Sequence, residues 1–425
     1  MAIDVGTDTP RTTESGMDDW FRELAGRVPA LGGLFRASPE RQMARGYRHT
    51  LSEICQQPLT WLETAEIAIA NSSSVALAAC GSNGIPAAGA LVLTGSGSSL
   101  YAADCLVLPL QDALKVPVVS LSGGHLLTDG KRALPPGDPR LIVSFARSGN
   151  SPESCAVVDL LLETDPLCRH LAITCNRAGR LATRYADNPR TASLILPDRT
   201  CDRSLVMTSS YTNMVLAGLS LAYLGRPAAY KQVVQRLAAT ARFLMLTHAG
   251  CLAAMARERF ASAIYLASGA CFGAARESAL KLLESTGERV RTFAETYLGL
   301  RHGPMAAVHD DTLVVCFLSS DPLVRAYELD LIVELNRKRL GMAKVVVGDG
   351  VPTEILNPHD LAVNCPGMAE ADDDSAPVLH ALVGQLIAFF RCLEEGLQPD
   401  SPSADGVISR VVESFHIHQA WKDRK

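Results

Sequence analysis

The sequence contains a repeat on the scale of a whole domain, in which short apolar runs alternate with helical segments. In the first half, Ala90–Thr94 is followed by GSGSS and Leu141–Phe145 by ARSGNS, each leading into a helical segment. In the second half, Ser262–Ala267 is followed by SGA and Thr312–Leu318 by SSDP, again before helical segments. Short apolar strands separated by helices are typical of βαβ units, whose parallel sheet is covered on both faces. The repeat therefore predicts an α/β chain with two doubly wound halves.

The same pattern divides the chain into four parts. We expect an N-terminal tail and helical lead-in over residues 1–60, a first α/β domain over 61–230, a second over 231–395 and a C-terminal tail over 396–425. Residues 1–16 are polar and predict a disordered tail. Further strands are predicted at Val116–Leu121, His170–Cys175, Ala192–Leu196, Ala343–Val347 and Asp360–Asn364. Helices are predicted at Met17–Leu34, Tyr47–Leu62, Trp61–Ser72, Leu100–Leu114, Thr208–Leu224, Lys231–Thr247, Leu323–Arg339 and Pro377–Cys392, with a Gly-rich loop at Gly81–Gly89.

Charge and composition exclude several classes of function. The net charge of −5 and the absence of basic runs predict no binding to nucleic acid or to an anionic membrane surface. No apolar run approaches the length of a membrane span, and Met1–Gly16 holds no apolar signal-peptide core. The 12 cysteines are scattered singly, which indicates reduced, buried thiols rather than a metal cluster. We therefore expect a cytoplasmic protein without a metal site.

Two turns rich in Ser and Gly follow predicted strands of the first half. Such turns place hydroxyls and backbone N–H groups at a helix N-terminus, which is a preferred place for a phosphate. The candidate phosphate-binding residues are Gly95, Ser96, Ser98, Ser99, Arg147, Ser148, Gly149, Asn150 and Ser151. In the second half the equivalent turn carries Asp321 and lacks Gly, and an acid there would repel a dianion. We therefore predict one phosphate site, in the first half.

The alternative interpretation of these turns is that Ser and Gly are simply good turn residues. One such turn favours that interpretation, whereas two on neighbouring strands favour a phosphate site. Neither turn contains the Gly-Lys-Ser/Thr of a Walker A loop, and neither contains G-x-G-x-x-G, so a nicotinamide role is poorly supported.

The segment Ala275–Pro304 carries the candidate catalytic residues. Glu277, Lys281 and Glu284 stand at i, i+4 and i+7, which places two carboxylates and an ammonium on one helical face, and His302 follows in a turn-rich stretch. The opposite face carries three residues that can bury, Ala279, Leu282 and Leu283. On spacing alone, the simpler interpretation is a solvated helix with ion pairs worth ~0.3–0.5 kcal/mol each. The alternative is a set of groups for proton transfer.

These motifs resemble the SIS (sugar isomerase) family of phosphosugar-binding proteins. Thr94–Ser99 and Ala146–Ser151 are similar to its two phosphate-binding turns, with Ala146 in place of the usual first Ser. The A-L-K-x-x-E and [KR]-H-G-P elements resemble the isomerase half of glutamine:fructose-6-phosphate amidotransferase. The residues at matching positions are Glu277, Lys281, Glu284, Arg301 and His302.

The resemblance is greatest to the AgaS-like branch, whose members are galactosamine-6-phosphate deaminase/isomerases or tagatose-6-phosphate ketose/aldose isomerases. It is carried by Glu53–Pro58 with Trp61, by Met207–Ser210 and by Pro399–Val412, and it covers about residues 45–415. The chain has no N-terminal cysteine nucleophile domain for hydrolysing glutamine, so synthase activity is not implied. Ser409–Ser414 also lacks the lysine that the synthase carries near its C-terminus, and Lys422 and Lys425 match no family position.

The resemblance implies SIS-type subdomains and a deaminase that converts galactosamine or glucosamine 6-phosphate to a ketohexose 6-phosphate and ammonia, without a metal or redox cofactor. His302 would open the pyranose ring, reaching across the interface of a homodimer or a higher homo-oligomer. Glu284 would move the C2 proton to C1, while Lys281 would pair with Glu277 or steady an oxyanion. The alternatives are a plain isomerase acting on tagatose 6-phosphate or a similar sugar, and a non-catalytic phosphosugar sensor.

Overall fold

The computed structural model describes residues 14–80, 89–287, 289–403, 406–411 and 415–418. It contains two five-stranded parallel sheets. The first sheet is formed by β1 (Ala90–Gly95), β2 (Val118–Ser122), β3 (Arg140–Ala146), β4 (Arg169–Thr174) and β5 (Thr191–Ile195). The second is formed by β6 (Ser262–Leu266), β7 (Arg291–Glu295), β8 (Thr312–Phe317), β9 (Ala343–Gly348) and β10 (Leu361–Asn364). The α/β fold class predicted from the repeat is confirmed.

The two sheets have the same topology. Their strand orders are β2-β1-β3-β4-β5 and β10-β9-β8-β6-β7, so each half reads 2-1-3-4-5 when its strands are numbered from its own first strand. This order reverses direction between the first and third strands of each half. In open α/β sheets, ligands bind outside the carboxyl ends of the strands at this reversal. The topology therefore offers two equivalent places for a ligand, one between β1 and β3 and one between β6 and β8.

Eighteen α-helices cover the sheets and form the lead-in within the described part of the chain. Those before β1 are α1 (Glu14–Arg27), α2 (Pro29–Phe35), α3 (Pro39–Ala44), α4 (Arg48–Cys55), α5 (Gln57–Ala70) and α6 (Ser72–Cys80). Those of the first half are α7 (Ser98–Asp104), α8 (Val107–Leu114), α9 (Gly123–Asp129), α10 (Pro152–Thr164), α11 (Arg180–Thr183) and α12 (Ser209–Leu219). The remainder are α13 (Pro227–Arg257), α14 (Cys271–Thr286), α15 (Tyr297–Leu300), α16 (Pro322–Lys338), α17 (Met368–Ser375) and α18 (Pro377–Glu394).

Several element boundaries differ from the sequence prediction. The helix expected over Leu100–Leu114 is two helices, α7 and α8, and the helix expected over Lys231–Thr247 extends over Pro227–Arg257. Strand β7 was not predicted, because RTFAE alternates weakly and forms a partly exposed edge strand. Of the predicted N-terminal tail, Glu14–Gly16 is helical, and residues 1–13 lie outside the described residues. The loop predicted at Gly81–Gly89 also lies outside them, except for Gly89.

The helical lead-in packs on the main body through a buried tryptophan. The Trp20 side chain is 1% exposed, its Nε1 donates to the Cys55 carbonyl at 2.8 Å, and the Arg242 guanidinium lies 4.3 Å from its ring centre. These contacts tie α1 to α4 and to α13. The lead-in is therefore part of the folded core.

Two helices, α13 and α18, are long and apolar enough to cross a membrane. Half of the most apolar window of α13 and 89% of that of α18 are buried inside the protein. Helix α18 packs along α14 and α13, and α13 also packs on α5. Their burial and packing are those of core helices, which reach this length and apolarity because the core is large.

Candidate active site

A cavity of about 620 Å³ lies at the carboxyl edge of the first sheet, where the strand order reverses. The turn after β1 and the turn after β3 form its floor. Its lining residues are Ser96, Gly97, Ser98, Ser99, Phe145, Ala146, Arg147, Ser148, Gly149, Ser151, Ser154, Leu205, Met207, Glu284, Gly406, Val407, Ile408, Ser409, Arg410 and Val411. The cavity thus combines serine hydroxyls, one carboxylate from the second half and a segment of the C-terminal tail.

The backbone of both serine turns requires glycine. Gly97 precedes α7 at φ +56° and Gly149 precedes α10 at φ +62°, conformations that other residues rarely adopt. Ser151 stands at the start of α10 and its side chain makes no capping bond to that helix. The N-terminal N–H groups of α10 are therefore not satisfied by that side chain, and a helix N-terminus with free N–H groups attracts an anion.

Most of the predicted phosphate-binding residues come together in this cavity, but two do not line it. Gly95 ends β1, where a Cβ would lie 2.6 Å from the Ser99 backbone, so it allows the strand and α7 to approach closely. The Asn150 side chain accepts a hydrogen bond from Arg180 N at 3.0 Å and thereby joins two turns. Both residues shape the site from outside.

Arg147 lines the cavity, but its hydrogen bonds go to the protein. Its guanidinium donates to the carbonyls of Ser204 at 3.1 Å, Leu205 at 2.9 Å and Arg410 at 2.6 Å. The side chain was predicted as a cation for the phosphate. In the structure it supplies positive charge beneath the cavity and anchors both the 204–205 loop and the tail.

The ammonium of Lys281 connects the catalytic helix to the serine turns. Lys281 Nζ lies 2.5 Å from Glu284 Oε2 and 3.4 Å from Glu277 Oε1, and it donates to Ser98 Oγ at 3.0 Å. The side chains of Glu277 and Lys281 are 0% and 2% exposed, whereas that of Glu284 is 24% exposed and reaches the cavity. The interpretation as a solvated helix with surface ion pairs is therefore wrong.

The opposite face of α14 is buried only in part. Ala279 and Leu282 are buried as predicted, whereas Leu283 is 40% exposed and the expectation for it is wrong. Helix α14 packs against α18, β7 and α7. These contacts cover its charged face and only part of its apolar face. Gly287 ends the helix in the left-handed conformation, which is common for glycine at this position.

Burial and charge determine the protonation of this cluster. Burial raises the pKa of Glu277 to about 8, although the nearby charge of Lys281 opposes the rise. Burial alone would lower the pKa of Lys281, but the two carboxylates outweigh it and raise that pKa. Lys281 therefore stays charged at neutral pH, and Glu277 is mainly protonated. The one carboxylate of the cluster that reaches the cavity is Glu284.

This protonation predicts a pH dependence of stability that Glu277→Gln removes. The Glu277 pKa is raised on folding from about 4.3 to about 8, so its contribution to the free energy of unfolding falls as pH rises between these values and then levels off. The wild type should lose more stability than Glu277→Gln between pH 6 and pH 9, measured by urea denaturation. The exposed Glu258→Gln is the control and should follow the wild type. Parallel curves for all three proteins would contradict the assignment.

His302 lies apart from this cavity within one chain. It is exposed, in the turn between α15 and a short 3₁₀ helix at Pro304–Ala307. Its neighbour Arg301 is held by Glu334, with Nε 2.7 Å from Oε2. A single chain therefore brings together the serine turns, Lys281 and Glu284, but not His302.

Residues of the C-terminal tail and of the loop before α12 complete the cavity. Gly406–Val411 forms one wall, and Leu205 and Met207 form another. Arg410 donates to the Asp202 carbonyl, with Nε at 2.8 Å, and Arg147 donates to the carbonyl of Arg410. The sequence signal for this wall was the resemblance of Met207–Ser210 and Pro399–Val412 to the family. Val412–Ser414, Lys422 and Lys425 lie outside the described residues.

Arg410→Ala is expected to raise KM for a substrate bound in this cavity about tenfold, because losing ~1.4 kcal/mol of binding corresponds to a factor of ten. Without its bonds to the Asp202 carbonyl, the wall at Gly406–Val411 must be ordered by the ligand itself. Steady-state kinetics measures this change, with the exposed Arg177→Ala as control. An unchanged KM in Arg410→Ala would show that the tail wall does not contribute to binding.

Comparisons with known proteins agree with this geometry. The chain is 37% identical over 380 residues to the AgaS protein of Streptomyces coelicolor, covering 87% of this chain and 95% of the relative. It is 35% identical over 331 residues to the D-galactosamine-6-phosphate deaminase AgaS of Escherichia coli, covering 77% and 85%. No protein-family profile matches the chain.

Solved structures also superpose on most of the chain. The tagatose-6-phosphate ketose/aldose isomerase of Escherichia coli superposes with a TM-score of 0.77 at 32% identity, covering 85% of this chain and 95% of that one. A protein from Clostridium novyi superposes with a TM-score of 0.82 at 30% identity, covering 90% and 97%. The C-terminal domain of glucosamine-fructose-6-phosphate aminotransferase from Francisella tularensis, at 19% identity and a TM-score of 0.70, shares the fold.

Two parallel sheets of one topology, with a serine-lined cavity at the first, define a protein of the double-SIS class. The sequence identity and coverage of the relatives specify one family within this class. The chain belongs to the AgaS family.

Proposed function

We propose that the chain is a hexosamine-6-phosphate deaminase that converts galactosamine 6-phosphate to a ketohexose 6-phosphate and ammonia. The observation that carries the proposal is that Glu284 shares one cavity with the serine turns, while Lys281 bonds both Glu284 Oε2 and Ser98 Oγ. The Escherichia coli and Shewanella relatives, named galactosamine-6-phosphate deaminases, favour the galacto sugar over glucosamine 6-phosphate.

The phosphate would bind at the serine turns. Ser96, Ser99, Ser148 and Ser151 line the cavity with hydroxyls, and the N-terminus of α10 faces it. Arg147 adds positive charge beneath them. A dianion gains from hydroxyl and backbone donors at a helix N-terminus together with a nearby cation. This placement leaves the sugar ring between the turns and Glu284.

Glu284 would take the proton from C2 of the open-chain amino aldehyde, next to the C1 carbonyl, and return it at C1. The C2–H bond breaks and its electrons form the C1=C2 bond of an enolamine, while the C1 carbonyl oxygen gains a proton and becomes a hydroxyl. Protonation at C1, with the nitrogen lone pair forming the C2=N bond, then gives a ketimine at C2. Water adds to the ketimine and ammonia leaves, which balances the reaction. Lys281 holds the Glu284 carboxylate by its 2.5 Å contact, which fixes the position of the proposed base.

His302 would open the pyranose ring from a second subunit. Its exposed position outside the cavity of its own chain fits a residue that serves a partner's cavity. We propose that the active unit is a homodimer or higher homo-oligomer with shared active sites, and that it works in the cytoplasm without nucleic acid or membrane. Imidazole is suited to moving a proton between a ring oxygen and a hydroxyl at neutral pH.

The second candidate is an aldose–ketose isomerase acting on tagatose 6-phosphate. The superposition with the Escherichia coli protein of that name favours it. It would use the same base and the same cavity, because both reactions pass through an enol or enolamine. Release of ammonia distinguishes the two.

The proposal is tested by assaying purified protein with four sugar phosphates. Galactosamine and glucosamine 6-phosphates are tested for ammonia in a coupled assay, and tagatose and fructose 6-phosphates for isomerisation. We expect ammonia from galactosamine 6-phosphate at the highest kcat/KM. Isomerisation of tagatose 6-phosphate without ammonia from either amino sugar would establish the second candidate. Binding of all four sugars without turnover would identify a sensor and refute both.

A further inference from the structure

The second half of the chain contains a turn equivalent to the second serine turn of the active site. In both halves the third strand ends, a short turn with two serines follows, and a helix begins at a proline. In the first half this turn opens into the active-site cavity. In the second half it is Ser319–Asp321, which follows β8 at the reversal between β6 and β8. The two turns therefore occupy the same place in the repeated topology.

The second turn is filled by a carboxylate from elsewhere in the chain. Ser320 donates to Asp373 Oδ1 from its backbone N at 2.6 Å and from its hydroxyl at 2.7 Å. Ser319 donates from its hydroxyl to Asp373 Oδ2. Two hydroxyls and one backbone N–H that converge on two oxygens of an anion form the kind of site that binds phosphate. Here the anion is a side chain of α17.

The remaining donors of the turn are also satisfied within the chain. Asp321 Oδ1 accepts from Leu323 N at 2.8 Å and from Val324 N at 3.1 Å, so it caps α16. Ser319 N donates to Glu328 Oε2 at 2.7 Å. In contrast, Ser151 makes no such cap at α10 in the first half. The second turn thus has no donor left for a ligand, whereas the helix after the first turn has no side-chain cap.

The backbone beside Asp373 supports this interpretation. Asp372 interrupts α17 with φ +60° and ψ 169°, a conformation that residues other than glycine rarely adopt. Such a conformation persists when surrounding contacts outweigh its cost. The hydrogen bonds that Asp373 accepts from Ser319 and Ser320 offset the cost of this conformation. Cys271 Sγ, at the start of α14, also contacts the Asp373 carbonyl at 3.5 Å.

We propose that Ser319–Asp321 is an oxyanion site that the chain's own Asp373 carboxylate occupies, fixing α17 to the turn and leaving each chain a single phosphosugar site. The inference goes beyond the proposed function and does not depend on which sugar reacts. It refines the expectation that Asp321 would repel a phosphate, because Asp321 caps its own helix and Asp373 is the residue that fills the turn.

The test uses Asp373→Ala, with inorganic phosphate as the probe and the thermal midpoint as the readout. Burial raises the pKa of the adjacent Glu328 to about 7, with Arg325 opposing and Asp373 adding to the rise. The measurement is therefore made at pH 6, where Glu328 is mainly neutral and repels an added anion least. The control is Glu370→Ala, which removes one exposed carboxylate from the same helix.

We expect Asp373→Ala to melt several degrees below the wild type, and phosphate to raise its midpoint by more than it raises that of the wild type or Glu370→Ala. The gain common to all three reports the first site. Adding Ser320→Ala to Asp373→Ala should abolish the extra gain. Equal gains in all three proteins would overturn the proposal, as would an unchanged midpoint in Asp373→Ala.

Two further measurements keep the test decisive. Asp373→Asn retains an acceptor for Ser320, so it should fold and gain no more from phosphate than the wild type; an extra gain would contradict the proposal. Calorimetric titration of the wild type with inorganic phosphate should give one site per chain, and two sites would also contradict it. These readouts need no turnover, so failure of the proposed reaction and failure of this inference remain distinguishable.

Discussion

Glu284→Gln is expected to lower kcat by ~10²–10⁴-fold, the usual contribution of a positioned general base. The glutamine amide has the same shape but cannot accept the C2 proton. Affinity for the sugar phosphate should change little, because the serine turns, which are the proposed phosphate ligands, are unchanged in this variant. Turnover is measured by ammonia release, and binding by titration with galactosamine 6-phosphate.

The control for this variant is Leu283→Ala, its neighbour on α14, which is 40% exposed and does not line the cavity. It should retain wild-type turnover, which would show that a change on this helix is not harmful by itself. If Glu284→Gln turned over at the wild-type rate, Glu284 would not be the base. If Glu284→Gln instead lost binding at unchanged kcat, Glu284 would be a ligand for the sugar hydroxyls.

Asp202→Ala is expected to lower the free energy of unfolding by ~3–5 kcal/mol, since each buried donor left without a partner costs about 1–3 kcal/mol. Asp202 is 0% exposed and caps α12 from six residues upstream. Its carboxylate accepts from the backbone N–H groups of Thr208 at 2.7 Å, Ser209 at 3.1 Å and Ser210 at 2.9 Å. Alanine would leave these three donors buried and unsatisfied.

Urea denaturation measures this loss as a lower midpoint at an unchanged slope. Asp198→Ala is the matched control, because Asp198 lies in the same loop with an exposed side chain. We expect less than about 0.5 kcal/mol for that surface substitution. A loss below about 1 kcal/mol in Asp202→Ala would mean that the start of α12 finds other acceptors, and would contradict the capping role.

The sheet topology could be predicted from the sequence because parallel strands are buried on both faces. Runs such as Leu141–Phe145 are continuously apolar, and each is followed by a turn and a helix, so their order along the chain implies the doubly wound arrangement. Strand β7 was not predicted, because an edge strand needs fewer apolar residues than a strand in the middle of the sheet. The division of Leu100–Leu114 into two helices was missed because both pieces have helical spacing.

Part of the site could also be predicted. The serine turns carry a local signal, Gly and Ser after an apolar run, and they line the cavity as the pattern indicated. The burial of Glu277 and Lys281 could not be predicted, because their spacing is the same as that of surface ion pairs. It results from the contacts of α14 with α7 and α18, which are distant in sequence.

Contacts between distant segments account for the other residues that the sequence did not reveal. Arg410 reaches Asp202 across 208 positions of the chain, and Asp373 reaches Ser319 across 54. A guanidinium that anchors a tail, or a carboxylate that fills a turn, leaves no local pattern when its partner is so far away in the sequence. In the sequence, the acidic run at 372–374 is typical of a solvated surface. In the folded chain, Asp373 of this run contacts the second turn.

The central claim is that Glu284 and the serine turns form one site that removes the amine from a hexosamine phosphate. The most direct measurement quantifies ammonia and ketohexose 6-phosphate in the same sample, after the wild-type protein has acted on galactosamine 6-phosphate. We predict one ammonia for each ketohexose 6-phosphate formed. Recovery of the amino sugar unchanged, or a rearranged amino sugar without ammonia, would contradict the claim.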